Sequence, residues 1–437
     1  MNRNDRAIVG LVALAHATVH TYELSIPILI PIWLDVFPVT QSTLGVVVAT
    51  GYALFGLGAL PGGVLSDTVG SQRLIIGCLV AMAGAFVALS LAPSIPVVGL
   101  ALVAWGAAAS VYHPAGLSLI STGVEERADG FAYHGIAGNL GIALGPLVVT
   151  LLLLVADWRA VTAALAVPAV VAGVVASRVE LDEHAAAETD SGDDSGETAA
   201  DGGGEDAAAD GGSEDAAGDG DSGDAGGRSE MGVTSLPEFL DASKTLLVGP
   251  FAAVFVVVVL SGLYYRGVLT FLPEVLSAYP SLAPVEVAGR QLQPYRYVYA
   301  GLLLVGVGGQ YTGGKLAGRF ETEPTLAVAF GVLAALSVVF LPAAGAGLLP
   351  LLVAGVFLGF ALFVVQPLYQ TTVAEYTPAG TRGLSYGYTY LGVFGVGAIG
   401  AAVAGSILEF GSLPVLFAVL AGFALTAAAT AAWLSSR

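Results

Sequence analysis

The chain is a succession of apolar runs of about 20 residues, the length at which a helix crosses the hydrocarbon core of a bilayer. Six runs lie near residues 8–35, 42–66, 73–92, 96–122, 130–155 and 159–178, and six more near 245–275, 295–318, 324–343, 347–374, 383–408 and 412–434. Charged residues make up only 11% of the chain, whereas an ordinary soluble domain carries about 25%. The sequence therefore predicts an all-α integral membrane protein with twelve transmembrane helices.

A strongly acidic segment separates the two sets of runs. Residues 180–230 contain 18 acidic side chains and one basic side chain, Arg228, so this segment accounts for most of the net charge of −19. Residues 188–227 include no aromatic or large aliphatic side chain and cannot form a buried core. We expect a disordered linker over 180–236, between an N-terminal six-helix bundle (1–179) and a C-terminal one (237–437). The rest of the chain is nearly neutral, so nucleic acid is not an expected partner.

The basic residues predict how the chain lies in the membrane, because Arg and Lys accumulate on the cytoplasmic side. With the N-terminus inside, ten basic residues fall at cytoplasmic ends of runs: Arg3, Arg6, Arg73, Arg127, Arg178, Lys244, Lys315, Arg319, Arg382 and Arg437. Three fall outside: Arg159, Arg290 and Arg296. We therefore expect a multi-pass protein of the cytoplasmic membrane, with both termini and the acidic linker in the cytoplasm and the first run retained as a span.

Three ionisable side chains stand inside the first run. His16, His20 and Glu23 have the spacing i, i+4 and i+7, which places them on one face of a helix. A carboxyl group at the centre of a membrane helix costs about 2.5–3.5 kcal/mol on insertion scales, so it needs water, a partner or a ligand. We interpret Glu23 as a proton carrier and the histidines as its partners. A purely structural role, as hydrogen-bonding groups between helices, is the alternative for each of them.

The two sets of runs show traces of a repeat. A shift of about 253 residues places YHPAG (112–116) over VQPLY (365–369), and GGVLSD (62–67) and GGKLAG (313–318) both end the second run of their half. Two repeats of the same orientation, related by an axis along the membrane normal, place a binding site between them at mid-membrane. The repeat therefore predicts a central solute site shared by the two bundles.

The stretch GGVLSDTVGSQR (62–73) resembles the signature of the major facilitator superfamily between its second and third spans. Gly63, Asp67, Gly70 and Arg73 stand at the matching positions, while Thr68 replaces the usual basic residue. The resemblance implies the major facilitator fold of two six-helix repeats and a gating role for these four residues. A carboxylate such as that of Asp67 is favoured at a helix N-terminus, which could latch one conformation. The alternative is that Asp67 only caps a loop.

Further stretches resemble the fosmidomycin-resistance group of exporters within that superfamily. They are VYHPAG (111–116), GNLGIALGP (138–146) and RGVLTFLPEVL (266–276). The segment GIALGP is also similar to the fifth-span motif of drug/proton antiporters, and it includes Gly141, Gly145 and Pro146, which any tightly packed membrane helix could use as well. Val149 and Thr150 replace the glycine pair that ends that motif.

The superfamily resemblance implies that the first, fourth, seventh and tenth spans line the central cavity. Besides the polar residues of the first run, these spans carry His113, Arg266, Gln366, Tyr369 and Gln370. We therefore predict a secondary transporter that moves a small organic solute by alternating access, in exchange for protons, and Arg266 with the histidines favours an anion as that solute. Uptake by symport with protons or another cation is the alternative. A snorkelling Arg266 and packing roles for Gln366 and Tyr369 also stay open.

Other classes of protein find little support in the sequence. A zinc peptidase needs H-E-x-x-H, but Ala17 follows His16. The sequence shows no phosphate loop or zinc cysteine pair, and Cys78 is the single cysteine. We expect neither enzymatic activity nor a cofactor or bound metal, and we expect a monomer. A sensor built on a transporter scaffold is a less favoured alternative.

Overall fold

The computed structural model describes residues 1–186, 236–378 and 381–437. Most of the predicted linker, 187–235, lies outside the described residues, so the boundaries at 179 and 237 stay predictions. The helices of the first half are numbered here as spans 1 to 6. Span 1 is Arg3–Val36, span 2 comprises Gln41–Leu57 and Ala59–Val69, span 3 is Ser71–Ser90, span 4 comprises Ile95–Ala109 and Tyr112–Gly123, span 5 is Arg127–Leu152, and span 6 is Trp158–Ala176.

The second half begins with the helix Leu236–Val248 and continues with spans 7 to 12. Span 7 comprises Phe251–Leu269 and Leu272–Ser277, span 8 is Pro294–Ala317, span 9 is Thr322–Gly345, span 10 is Leu348–Glu375, span 11 runs from Arg382 to Phe410, and span 12 is Leu413–Ser435. A 3-10 turn, Pro280–Leu282, and an antiparallel hairpin of Val285–Val287 and Arg290–Leu292 connect spans 7 and 8.

The predicted membrane architecture is confirmed. Within the described ranges, eleven helical segments are long and apolar enough to cross a bilayer. Span 8 has a comparable length of 24 residues but is more polar, since it carries Arg296, Gln310 and Lys315. The run predicted from residue 245 is interrupted at Gly249 and Pro250, so span 7 begins at Phe251.

The two halves repeat one packing scheme. In the first half span 1 packs on span 5, span 2 on span 4, and span 3 on span 6; in the second half the equivalent pairs are 7 with 11, 8 with 10, and 9 with 12. The most extensive contacts between the halves are those of span 2 with span 11 and of span 5 with span 8, and span 1 also touches span 7. The halves thus meet along two seams and leave a central space between them.

The seam between spans 2 and 11 depends on two glycines. A Cβ atom built on Gly56 would overlap the backbone of Gly395, so the two chains touch directly at this point. Gly395 ends a π-helical turn, Leu391–Gly395, which is followed by a 3-10 turn, Val396–Ala398, before span 11 resumes as Ile399–Phe410. Short π segments inside α-helices are frequent at functional sites.

The halves are joined by polar contacts at the end of the bundle opposite the N-terminus. The backbone N–H of Ser42 donates to the Glu409 carboxylate over 2.9 Å, and its hydroxyl lies 3.2 Å from that of Ser406. Across the second seam, the guanidinium of Arg290 donates to the carbonyl oxygen of Leu154 over 2.8 Å. The central space is therefore closed at this end.

Candidate functional site

A cavity of about 630 Å³ lies between the two halves. Its walls come from spans 1, 4 and 5 on one side and spans 8, 10 and 11 on the other. The cavity extends from His20, midway along span 1, to Phe131 and Tyr386, which are 39% and 37% exposed at the end of the bundle that carries the N-terminus. The cavity is thus accessible from that end and closed at the other.

Behind the cavity floor, a buried ion pair joins the halves. The guanidinium of Arg266 in span 7 donates to Oε1 of Glu23 in span 1. The Tyr52 ring lies under the same guanidinium at 3.7 Å, and its hydroxyl donates to the backbone carbonyl of Glu23 over 3.1 Å. Tyr52 in turn packs edge-on against Trp105, 5.8 Å between ring centroids. A carboxylate from one half and a cation from the other are thus held without access to bulk water.

A chain of imidazoles leads from the cavity wall to this ion pair. Nδ1 of His16 lies 2.7 Å from the backbone carbonyl oxygen of His134, and Nε2 of His16 lies 3.0 Å from Nε2 of His20. Nδ1 of His20 lies 2.5 Å from Oε2 of Glu23. The ring of His134 stacks on that of His16 at 3.8 Å, and His113 packs edge-on against His16 at 5.2 Å. Four of the five histidines therefore converge here.

If each of these contacts is a hydrogen bond, their directions determine how many protons the chain holds. A carbonyl only accepts, so Nδ1 of His16 must donate to His134. If His16 is neutral, its Nε2 carries no proton and accepts a hydrogen bond from Nε2 of His20. Nδ1 of His20 then faces the Glu23 carboxylate, and because both are acceptors when unprotonated, one of the two must carry a proton. If His16 is charged instead, the same count results. In either case the chain of His16, His20 and Glu23 holds three protons. Two neutral imidazoles and an ionised carboxylate would hold two, so the chain carries one additional proton.

The π-helical turn of span 11 brings aromatic rings to the same place. Phe394 packs against Phe55 at 4.9 Å and lies 5.5 Å from the Arg266 guanidinium. Tyr390, four residues earlier, lies 4.8 Å from the ring of His113. Both rings line the cavity, so they separate the buried ion pair from the solute space.

The predicted binding residues fall into two groups. Six of them line the cavity: His16, His20, His113, Gln366, Tyr369 and Gln370. Glu23 and Arg266 are not among the lining residues and lie beneath the floor, where each is the other's partner. Arg266 is 1% exposed, so in this conformation it faces the interior and neither snorkels to the membrane surface nor offers its charge to a solute.

Sequence reasoning missed much of the cavity wall. Asn139 of span 5, Gln310 of span 8 and Tyr386, Thr389, Tyr390 and Phe394 of span 11 also line it. The polar residues Gln310 and Asn139 inside apolar runs were the available signal. The aromatic residues of span 11 gave none, because they are equally typical of a packed helix.

The glycines of the fifth-span motif allow spans 1 and 5 to approach closely. A Cβ atom on Gly141 would overlap the carbonyl oxygen of Ala17, and one on Gly145 would lie 2.7 Å from Cα of Thr21. Pro146 is buried within the same helix. Their position supports a packing function, because they hold the helix that carries His134 against the helix that carries His16.

The four predicted gating residues lie at the open end of the bundle. Gly70 has φ +94°, a backbone conformation that favours glycine, and the next residue donates its N–H to the Glu183 carboxylate over 2.8 Å. A Cβ atom built on Gly63 would have no heavy atom within 4 Å, and Arg73 is exposed. The side chain of Asp67 lies outside the described part of the structure, so its latch role stays a prediction.

The histidine cluster could in principle hold a metal ion, because one ligand atom of each of His16, His20 and His113 lies within 4.8 Å of the others. Binding would require breaking the hydrogen bond between His16 and His20, and the guanidinium next to Glu23 opposes a second cation nearby. We therefore treat the cluster as a hydrogen-bonding group and assign no metal to it.

A bundle of paired six-span repeats, with a central cavity accessible from one end and ionisable groups at its floor, defines the class of multi-span membrane transporters. The sequence matches the Major Facilitator Superfamily profile over residues 11–401. The chain belongs to this superfamily, whose members related to it are transporters rather than enzymes.

Named relatives agree with this assignment. An uncharacterized MFS-type transporter of Mycobacterium tuberculosis, recorded in two strains, is 40% identical over 100 residues, which is 22% of this chain and 23% of the relative. The match thus spans less than a quarter of the relatives' length. The narrower resemblance to fosmidomycin-resistance exporters stays a prediction.

Solved structures share the fold at low sequence identity. The nucleoside transporter NupG superposes with a TM-score of 0.72 at 12% identity, covering 98% of this chain and 99% of its own. A bacterial homolog of the lysosomal transporter Spinster, in an inward-facing and occupied conformation, superposes with a TM-score of 0.67 at 13% identity, covering 100% of this chain and 98% of its own. The peptide transporter POT gives 0.68 at 14% identity and covers 98% and 94%.

Proposed function

We propose that this chain exports a small organic solute across the cytoplasmic membrane by alternating access, in exchange for protons. The observation that carries the proposal is the buried contact of Glu23 with both His20 and Arg266. It joins a titratable chain in one half to a cation in the other, directly beneath the cavity. A change in the proton count of this chain therefore changes the attraction between the halves.

The proton count supports coupling. With its additional proton and the Arg266 charge, the cluster of His16, His20, Glu23 and Arg266 carries one net positive charge; without that proton it is neutral. A buried net charge is expensive in a low-dielectric environment. Release of the proton into the cavity would leave His20 and Glu23 short of one hydrogen bond, which favours a rearrangement of spans 1 and 7.

The closed end supports alternating access. Opening it requires breaking the contacts of Ser42 with Glu409 and of Arg290 with Leu154, while the cavity end would close. If both termini are cytoplasmic, as the basic residues predict, this conformation faces the cytoplasm. A solute to be exported would load in this state.

Export as the direction of transport draws its support from the resemblance of residues 111–116, 138–146 and 266–276 to exporters of the fosmidomycin-resistance group. A small organic solute suits the volume of the cavity, and the structural relatives include carriers of nucleosides and of peptides by name. Uptake by symport is the alternative direction of the same mechanism.

The test is a solute screen in proteoliposomes with an imposed pH gradient of either polarity. The proposal requires that a solute be accumulated against its gradient when protons flow in the opposite direction. Accumulation only when solute and protons flow together would establish symport instead. Saturable binding without flux under either polarity would indicate a sensor.

A further inference from the structure

We infer that the cavity takes a small, planar, uncharged solute that carries both a hydrogen-bond donor and an acceptor, such as an aromatic amide or a nitrogen heterocycle. This inference rests on the proposed function, in that it takes the cavity as the solute site. It adds to that function a class of solute for this chain.

The first argument is the charge of the cavity wall. Among the described residues that line the cavity there is no Asp, Glu, Lys or Arg, and its nearest fully charged groups, Glu23 and Arg266, are paired with each other beneath the floor. A permanent ion in this space would lose hydration without gaining a fully charged partner on the wall, because the additional proton of the imidazole chain is held in the hydrogen bonds that lead from His16 to Glu23. The wall therefore disfavours carboxylates and quaternary amines.

The second argument is hydrogen bonding. Nε2 of His134 and Oε1 of Gln310 are buried and have no partner among the described protein atoms. They belong to opposite halves and both line the cavity. Buried polar groups are normally satisfied, so a solute that donates to one wall and accepts from the other fits the site better than a hydrocarbon.

The third argument is the arrangement of rings. Tyr390 and Phe394 are nearly parallel, with 12° between their planes and 5.9 Å between their centroids. The His113 ring lies at 21° to Phe394, 6.0 Å away. Aromatic rings pack best in offset stacks with centroids about 4.5–7 Å apart. All three rings line the cavity, so a planar solute that stacks on them gains contacts that a puckered ring does not.

The test compares four probes of similar size on the purified full-length protein by isothermal titration calorimetry. Benzamide is planar, uncharged and has both donor and acceptor; cyclohexanecarboxamide keeps the amide without the planar ring; benzoate and benzyltrimethylammonium keep the ring and add a charge. We expect benzamide to bind at about 1–10 mM or tighter, and at least about fivefold tighter than each of the other three.

Variants connect the preference to the named residues. Phe394→Leu should weaken the binding of benzamide about fivefold, whereas the affinity for cyclohexanecarboxamide should change by less than about twofold. Gln310→Ala should weaken the binding of both amides by a similar factor. The matched control is Phe320→Leu, because Phe320 is 60% exposed and lies outside the cavity. Thermal unfolding of each variant verifies that it is folded, and Phe394→Tyr, which keeps the ring, should restore benzamide binding if Phe394→Leu is unstable.

Tightest binding of benzoate or the ammonium probe, equal binding of the two amides, or no binding by any probe would overturn the inference. The transporter proposal is tested separately, by flux in proteoliposomes. Protein that carries solute under a pH gradient but prefers benzoate would keep the proposed function and lose the solute class. Protein that prefers benzamide but moves no solute would keep the solute class and lose the proposed transport function.

Discussion

Glu23 of span 1 and Arg266 of span 7 pair across the interface between the halves, with 0% and 1% of their surfaces exposed. His20 contacts the second carboxylate oxygen of Glu23. The Glu23 carboxylate therefore contacts both the imidazole chain of its own half and the cation of the other half.

Glu23→Gln should abolish accumulation driven by a pH gradient while leaving solute binding measurable and less dependent on pH than in the wild type. Glutamine keeps the size of the side chain but cannot titrate, and binding is linked to pH only through groups that titrate. The measurement is flux in proteoliposomes beside binding at several pH values. Glu274→Gln is the control, because Glu274 is a partly buried carboxylate at the closed end. Accumulation by the Glu23→Gln protein would remove Glu23 as the carrier and make His113 the next candidate.

His20→Gln should shift the pH optimum of transport without uncoupling it. The amide can still hydrogen-bond to Glu23, whereas the titratable imidazole is lost. His184→Gln is the control, since His184 is an exposed histidine outside the cluster. An unchanged pH profile, or complete uncoupling, would contradict the assignment of His20 as a modulator.

Arg266→Gln should destabilise the protein by about 3–5 kcal/mol, because it leaves the Glu23 carboxylate buried without its cation. The double variant Glu23→Gln with Arg266→Gln should recover most of that loss, since no uncompensated charge remains. Thermal unfolding in detergent measures both. Additive losses in the double variant would show that the two side chains do not act as a pair.

Gly56→Ala should be far more damaging than its size suggests, because the new methyl group would overlap the backbone of Gly395. We expect the seam between spans 2 and 11 to separate, with loss of thermal stability or of transport. Gly301→Ala in span 8 is the matched control, because no heavy atom lies within 4 Å of its Cβ position. Equal behaviour of the two variants would argue against a tight seam.

Asp67→Asn should lower turnover much more than solute affinity, by changing the balance of the two access states. Counterflow rates and equilibrium binding on the same preparation separate the two effects. Gly63→Ala provides a comparison in the same helix, Ala59–Val69, because the described conformation has room for the methyl group. Equal transport rates for wild type and Asp67→Asn would dismiss the latch.

The sequence predicted the spans well, because the length and apolarity of a membrane helix are local properties. Even the polar span 8 was recognisable between its neighbours. The helical spacing of His16, His20 and Glu23 also predicted one face correctly, since periodicity needs only the chain itself.

The partners of that face were harder to predict. That Arg266 pairs with Glu23, and that the carbonyl of His134 accepts from His16, depends on the depth and rotation of helices far apart in sequence. The π-helical turn at Leu391–Gly395 adds a local shift in register that no residue pattern indicates. These features follow from packing between helices and could not be read from either helix alone.

The contact between Trp105 and Tyr52 has a practical consequence. Trp105 is 0% exposed, and its indole touches the ring that supports the Arg266 guanidinium. The emission colour of an indole responds to the electric field around it, and a guanidinium that leaves its carboxylate changes that field. Trp105 is one of four tryptophans in the chain, and its position makes it an intrinsic fluorescent reporter beside the ion pair, without any attached dye.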